Sequence, residues 1–258
     1  MIHPTAIIDP EVRERLPEDI RIGPYSIIEG DVSFGPGCEI GPHVVIRGPT
    51  RIGAENRFFQ FASIGERPQD LKYHGEPTEL VIGDRNTFRE SCTVHRGTLP
   101  PTGIERTVIG NDNLFMAYTH IAHDCVIGDH VIMSNAASLA GHVTVHDHAI
   151  LGGFTLVHQF CRVGEHAFTG MGTALNRDLP PFVMASGNLA RPVGINKEGL
   201  KRRGFSEAAI RALHQAFRAL FRSRRPDRQE TVRTLAETHP EVARLLAFVE
   251  ESERGVIR

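Results

Sequence analysis

The chain is poor in the features that would assign it to several common classes. No segment approaches the roughly 18 consecutive apolar residues that a membrane-spanning helix needs. The opening residues, MIHPTAIIDP, lack both the basic stretch and the apolar core of a secretory signal. These two absences predict a soluble, cytoplasmic protein with no stable membrane insertion. Four cysteines in 258 residues do not make a disulfide scaffold. The net charge of −2 shows no excess of one sign, and no motif for nucleic-acid binding is present, so a nucleic-acid partner is not expected. That small sum conceals an asymmetry: residues 1–179 carry 14 Lys+Arg against 22 Asp+Glu, and residues 180–258 carry 15 against 9. A basic tail is either a solvated helix face or a dock for an acidic partner.

A repeat is present instead. Stepping by six from Ile22 gives Ile28, Phe34, Ile40, Ile46, Ile52, Phe58 and Ile64 without a miss. The ladder resumes at Ile82, Phe88 and Val94, and again from Ile109 through Phe115, Ile121, Ile127, Met133, Leu139, Val145, Leu151, Val157 and Val163 to Leu175, with Thr169 alone departing. Four residues after each ladder position stands a second column of mostly small or β-branched residues, such as Ser26, Val32, Val44, Val131, Ala137 or Val143. Two of every six residues therefore point inward, a period that belongs to a parallel β-helix and to neither an α-helix nor a flat strand. All four cysteines (Cys38, Cys92, Cys125, Cys161) fall in the small inward column. They read as packed thiols, which fits a reducing compartment and argues against disulfides or metal. Two interruptions, at 65–81 and 97–106, are rich in charged and turn residues and should loop off the body. Pro180 and Pro181 close the coil. The expected organisation is thus mainly β: a β-helix over 1–179 and a small α-helical C-terminal domain over 180–258, with Ser206 capping one helix to about Arg222 and Pro240 opening another to about Ser252.

Several motifs lie on this repeat: QDLKYHGEPTEL at 69–80, HRGT at 95–98, HIAHDC at 120–125, LAGHV at 139–143, VHQFC at 157–161 and GLKRRGFS at 199–206. Together with the hexapeptides they resemble the hexapeptide-repeat acyltransferases, and among them the family that opens lipid A synthesis by acylating UDP-N-acetylglucosamine. The resemblance extends over nearly the whole chain. It implies three hexapeptides per coil and a left hand, which ordinary parallel crossovers would not suggest. It also implies a homotrimer with a site between subunits, and a 3-hydroxyacyl donor carried on the phosphopantetheine of acyl carrier protein, with no bound cofactor and no metal.

With 18 residues per coil and coils about 4.8 Å apart, His123 lies below Gly141 and Gln159, Asp124 below His142, and Ala140 below His158. Eight of the 14 histidines fall between His120 and His166, and none is in an inward column. Acyl transfer from a thioester to a hydroxyl needs a base and an oxyanion donor. An imidazole, titrating near pH 6.5, suits the first. The resemblance makes His123 the base, Asp124 the group that fixes its tautomer, and Gly141 the oxyanion donor. By the same match Asp70, Lys72, His120, His142, His158 and Gln159 contact the sugar and pyrophosphate, and Asn196, Glu198, Arg202 and Arg203 hold the nucleotide. Met171 stands where relatives taking longer chains resemble one another in a second glycine. That implies a shorter acyl chain of about ten carbons, since each excluded methylene forfeits about 0.8 kcal/mol of burial. Arg211, Arg218, Arg222, Arg224 and Arg225 are candidates for docking the acidic carrier. Three other readings stay open: an N-acyltransferase on a 3-amino analogue of the sugar, a zinc hydrase resembling the γ-class carbonic anhydrases with His130, His148 and His166 as ligands, and a non-catalytic scaffold.

Overall fold

Each six-residue repeat forms one short strand and one tight corner. The computed structural model describes residues 1–223 and 227–258. Its strands stack parallel into three sheets that form the walls of a triangular prism. Register in the regular coils advances by 18: His120 pairs with Ser138 and Ser138 with Leu156, both inward neighbours following suit. In the interrupted coils Ser63 pairs with Thr93 and Thr93 with His120, 30 and 27 residues on. The excess loops out between the strands Ser63–Glu66 and Glu79–Ile82, and between Thr93–His95 and Arg106–Ile109. The first loop is therefore shorter than the break in the ladder suggests, because strand pairing continues to Glu66 and resumes at Glu79.

The coil also begins earlier than Ile22. Ile2 bridges to Ile22 and Ile8 pairs with Ile28. A short helix, Pro10–Arg13, shifts this first turn by two residues and so hides it from a strict six-residue count.

The inward columns make the core. Phe58, Phe88 and Phe115 stack through three successive coils with centroids 4.9 and 4.8 Å apart. Thr169, the one polar rung of the ladder, is fully buried, but its hydroxyl pairs with Thr155 at 2.7 Å and accepts the Gly152 N–H at 2.9 Å. The second column holds a feature that the repeat does not announce. Asn56, Asn86 and Asn113 are buried one above another; each Oδ1 accepts a backbone N–H of the next coil, and each Nδ2 donates to a glycine carbonyl. Buried amides are tolerated there because every polar atom has a partner. All four cysteines are buried and free, and burial pushes the Cys125 thiol up to about 12.

After the last coil strand, Ala174–Leu175, an antiparallel hairpin of Val183–Ser186 and Arg191–Ile195 extends one wall. Four helices follow among the described residues: Lys197–Arg202, Glu207–Phe221, Arg228–Thr238 and Pro240–Glu251. Ser206 caps the second through its side chain, which accepts the Ala209 N–H at 3.1 Å. The helix Arg228–Thr238 buries only Val232 and has no strong apolar face for a sequence reading to find. No helix among the described residues is long and apolar enough to cross a membrane.

Removing the middle ring of the aromatic stack should leave a cavity spanning two coils. Phe88→Ala is expected to destabilise the prism by about 3–5 kcal/mol, read as a lower urea midpoint with the strand signal in circular dichroism retained at zero denaturant. An unchanged midpoint would show that the stack carries no such weight.

Candidate active site

One corner of the prism carries most of the histidines singled out above. It joins the wall containing His120–Ile121 to the wall containing Val126–Ile127. Asp124, His142 and Phe160 occupy the turning point in three successive coils, with φ of 59, 60 and 66°. Each coil is tied to the one below: His142 N–H donates to His123 O at 3.0 Å, and Phe160 N–H to Gly141 O at 3.1 Å. This stacking lays the His123 ring against Gly141 so closely that a β-carbon there would stand 2.6 and 2.7 Å from its Cε1 and Nε2. Glycine is required by this approach.

The hydrogen bonds determine the direction of the ring. His123 Nδ1 lies 2.8 Å from Asp124 Oδ2. The carboxylate also accepts the Thr98 hydroxyl at 2.6 Å, the Thr98 N–H at 3.0 Å and the Ile104 N–H at 2.8 Å. Burial pushes the Asp124 carboxyl up, but the bonds from His123, Thr98 and Ile104 outweigh it and hold the group below its ordinary range. A carboxylate only accepts, so in the neutral ring Nδ1 of His123 carries the proton and Nε2 keeps its lone pair. His123 and Gly141 both line an open cleft of about 650 Å³, together with Asp70, Lys72, His120 and Gln159.

The backbone supplies a second group. On another corner the corresponding N–H groups of Ala54, Asp84, Asn111 and Asp129 each donate to an Asp or Asn side chain of the next coil. The N–H groups of His123 and Gly141 have no protein partner among the described residues. A buried glycine N–H beside an imidazole lone pair is a donor and a base within reach of one reacting carbon.

The neighbouring histidines are pushed toward the neutral form. His120, bonded through Nδ1 to the Thr93 hydroxyl at 2.7 Å, is pushed down by burial and by nearby His123. His142, edge-on to His123 with centroids 5.0 Å apart, is pushed down by burial first, with Asp124 and Asp70 acting in the opposite sense. His123, Asp124 and His142 also form the one group among the described residues whose ligand atoms could converge on a metal. By contrast, the rings of His130, His148 and His166 stack face to face at successive spacings of 4.7 Å and, among the described residues, do not bring their ligand atoms together within this chain.

Comparison with known proteins identifies the family and the fold. Residues 106–141 match the bacterial transferase hexapeptide (six repeats), and residues 178–257 match the second domain of UDP-N-acetylglucosamine O-acyltransferase. An acyl-(acyl-carrier-protein)–UDP-N-acetylglucosamine O-acyltransferase of Halorhodospira halophila is 52% identical over 259 residues, covering 100% of this chain and 99% of that one. The chain belongs to this acyltransferase family. Among solved structures, LpxA from Acinetobacter baumannii is 44% identical with a TM-score of 0.93, covering 100% of this chain and 99% of that one. The UDP-N-acetylglucosamine acyltransferase of Francisella novicida is 38% identical with a TM-score of 0.94, covering 100% and 94%. The coil accordingly has the left hand of this family, as the resemblance implied, followed by a small helical region.

Within this acyltransferase fold the remaining residues singled out from sequence do not all gather at the cleft. His158 is exposed and meets Arg254 at 2.9 Å. Asn196 is buried and caps the helix Lys197–Arg202: its Oδ1 accepts the Gly199 N–H at 3.1 Å and its Nδ2 donates to His166 O at 3.0 Å. Glu198, Arg202 and Arg203 are exposed on that helix and its end, and none of the four lines the cleft. Met171 is 80% exposed and also stands outside the lining. Of the proposed docking arginines, Arg211 pairs with Glu207 at 3.2 Å and Arg222 donates to Pro192 O at 3.0 Å; Arg224 and Arg225 lie outside the described residues. The sequence reading missed Thr98 and Ile104, which clasp Asp124, and buried His95, edge-on to His120 with centroids 5.0 Å apart. Burial and nearby His120 push His95 down to about 4. The HRGT motif at 95–98 contains two of these three and was the available signal.

Adding a methyl group at Gly141 should displace the imidazole. Gly141→Ala is expected to lower acyl-transfer turnover about a hundredfold or more, the scale of an ångström-sized misplacement, while thermal melting stays near the wild type. Full turnover in that variant would mean that the ring does not depend on the glycine.

Proposed function

We propose that this protein transfers an (R)-3-hydroxyacyl group from acyl carrier protein to the 3-hydroxyl of UDP-N-acetylglucosamine, the first step of lipid A biosynthesis, in the cytoplasm and as a homotrimer. The observation that carries the reading is His123 Nε2, its lone pair directed by the Asp124 bond, lying beside the unpartnered N–H of Gly141 in one cleft. His123 takes the proton of the sugar hydroxyl as its oxygen attacks the thioester carbon. The Gly141 N–H donates to the oxyanion that forms there. Collapse of the tetrahedral adduct breaks the carbon–sulfur bond, and the imidazolium returns its proton to the departing phosphopantetheine sulfur. Asp124 stabilises the imidazolium in between. No protein nucleophile or bound cofactor is needed, and the four buried cysteines stay out of the reaction.

Asp70, Lys72, His120, His142, His158 and Gln159 contact the sugar and pyrophosphate in this reading. Asn196, Glu198, Arg202 and Arg203, which lie off the cleft of their own chain, act on the nucleotide bound at a neighbouring subunit, where guanidinium groups suit phosphate oxygens. Arg211 and Arg218, exposed on the helix Glu207–Phe221, serve the acidic carrier. Met171 shortens the acyl groove and favours a chain of about ten carbons.

The test is product identification by mass after incubation with UDP-N-acetylglucosamine and 3-hydroxyacyl carriers of ten, twelve and fourteen carbons. The expected product is the ten-carbon ester, with Met171→Gly shifting the preference to longer donors. Equal or better use of the fourteen-carbon carrier by the wild type would overturn the role of Met171. Acylation only of a 3-amino sugar nucleotide would replace the ester with an amide and overturn the acceptor.

A further inference from the structure

We propose that Arg254 is a positioning residue that fixes His158 in the tautomer opposite to that of His123, so that His158 presents an Nε2–H donor to the substrate. This rests on the reading that His158 faces the sugar nucleotide. Arg254 Nη2 stands 2.9 Å from His158 Nδ1, across 96 residues of sequence, and its Nε donates to Asn176 O at 3.3 Å.

The segment that carries Arg254 is anchored at several points. Asp178, 1% exposed, accepts the Arg162 N–H at 2.8 Å through one carboxylate oxygen and the Ser252 hydroxyl at 2.7 Å through the other. Its own N–H donates to Gly255 O at 3.1 Å, and its carbonyl accepts the Ile257 N–H at 3.0 Å. Val256 and Ile257 are buried. Arg254 therefore leaves a clamped backbone, half-buried and aimed at the imidazole, rather than waving from a loose end.

A guanidinium can only donate. Its bond makes His158 Nδ1 the acceptor and leaves the proton of the neutral ring on Nε2. The Gln159 carbonyl lies 3.1 Å from the same Nδ1 and would favour the other tautomer. The charged donor, at the shorter distance, prevails. At His123 the Nδ1 partner is a carboxylate and the outward nitrogen is a base; at His158 the partner is a cation and the outward nitrogen is a donor. One corner thus offers a proton acceptor to the hydroxyl that reacts and a proton donor to an oxygen that is only held.

Imidazole nitrogen-15 spectra of the full chain, recorded above about pH 8 where histidines are neutral and assigned with His158→Asn, read the tautomer directly. The expected signature is a pyridine-type Nδ1 and a protonated Nε2 for His158, with Arg254→Met moving the proton toward Nδ1. In kinetics, Arg254→Met should raise KM for UDP-N-acetylglucosamine about tenfold, the scale of one charge-assisted hydrogen bond, with kcat little changed. Arg254→Lys, which keeps a donor, should recover most of that loss. Ser252→Ala loosens the anchor without touching the guanidinium and should lower the melting temperature with little effect on KM. A protonated Nδ1 in the wild type, or equal KM changes in Arg254→Met and Ser252→Ala, would overturn the proposal. If no acyl group is transferred to the sugar nucleotide, the proposed function fails while the nitrogen spectra still decide the tautomer.

Discussion

Each coil must turn three corners within a few residues, and the chain does so by passing through the left-handed backbone region. Eighteen non-glycine residues among those described hold positive φ, all between 54 and 66°. Such a residue costs about 1 kcal/mol or more in isolation. Here the cost is offset coil by coil, because the corner N–H donates to a carbonyl of the coil below, as His130 does to Asn111, His148 to Asp129 and His142 to His123. Histidine and aspartate are among the side chains that tolerate this conformation best. Five histidines, His43, His130, His142, His148 and His166, therefore have a conformational reason to stand at corners before any chemical one.

The candidate site makes use of that constraint. Asp124 and His142 are corner residues, and His123 and Gly141 are the residues just before them, so all four are positioned by backbone pairing rather than by flexible side-chain packing. Coil spacing sets how near the backbones of His123 and Gly141 stand, and the Asp124 bond sets the ring between them. What the walls cannot supply comes from the two loops. The first brings Asp70 and Lys72 to the cleft, and the second wraps Thr98 and Ile104 around the Asp124 carboxylate. A rigid ruler with two adjustable insertions is a suitable frame for a reaction between a small acceptor and a thioester delivered by another protein.

Much of this was legible in the sequence because a β-helix exposes its period. Inward positions must be apolar or small, so Ile22 through Ile64 and Ile109 through Leu175 spelled out the walls. Stacking by 18, the coil length that the family resemblance implied, then brought His123 under Gly141. The helix at Glu207–Phe221 announced itself by its Ser206 cap. Other features were hidden for particular reasons. Asn56, Asn86 and Asn113 look like polar residues out of place until their amides are seen bonded between coils. The first coil at Ile2 and Ile8 is out of step because of the Pro10–Arg13 insertion. The clasp on Asp124 depends on how a loop folds back, which no period records. Nothing in the spacing of His158 and Arg254, 96 residues apart, brings them together; the buried Asp178 does so by tying the two segments.

The central claim is that a single imidazole on this corner, directed by Asp124, does the chemistry. Its most direct test is turnover of His123→Ala with acyl carrier protein and UDP-N-acetylglucosamine, measured beside a thermal melt of the same preparation. Deleting a general base removes a contribution of about 10²–10⁴ in rate, so turnover should fall by at least that much with the melting transition preserved. Wild-type turnover in the variant would contradict the account and leave the prism as a scaffold for chemistry performed elsewhere.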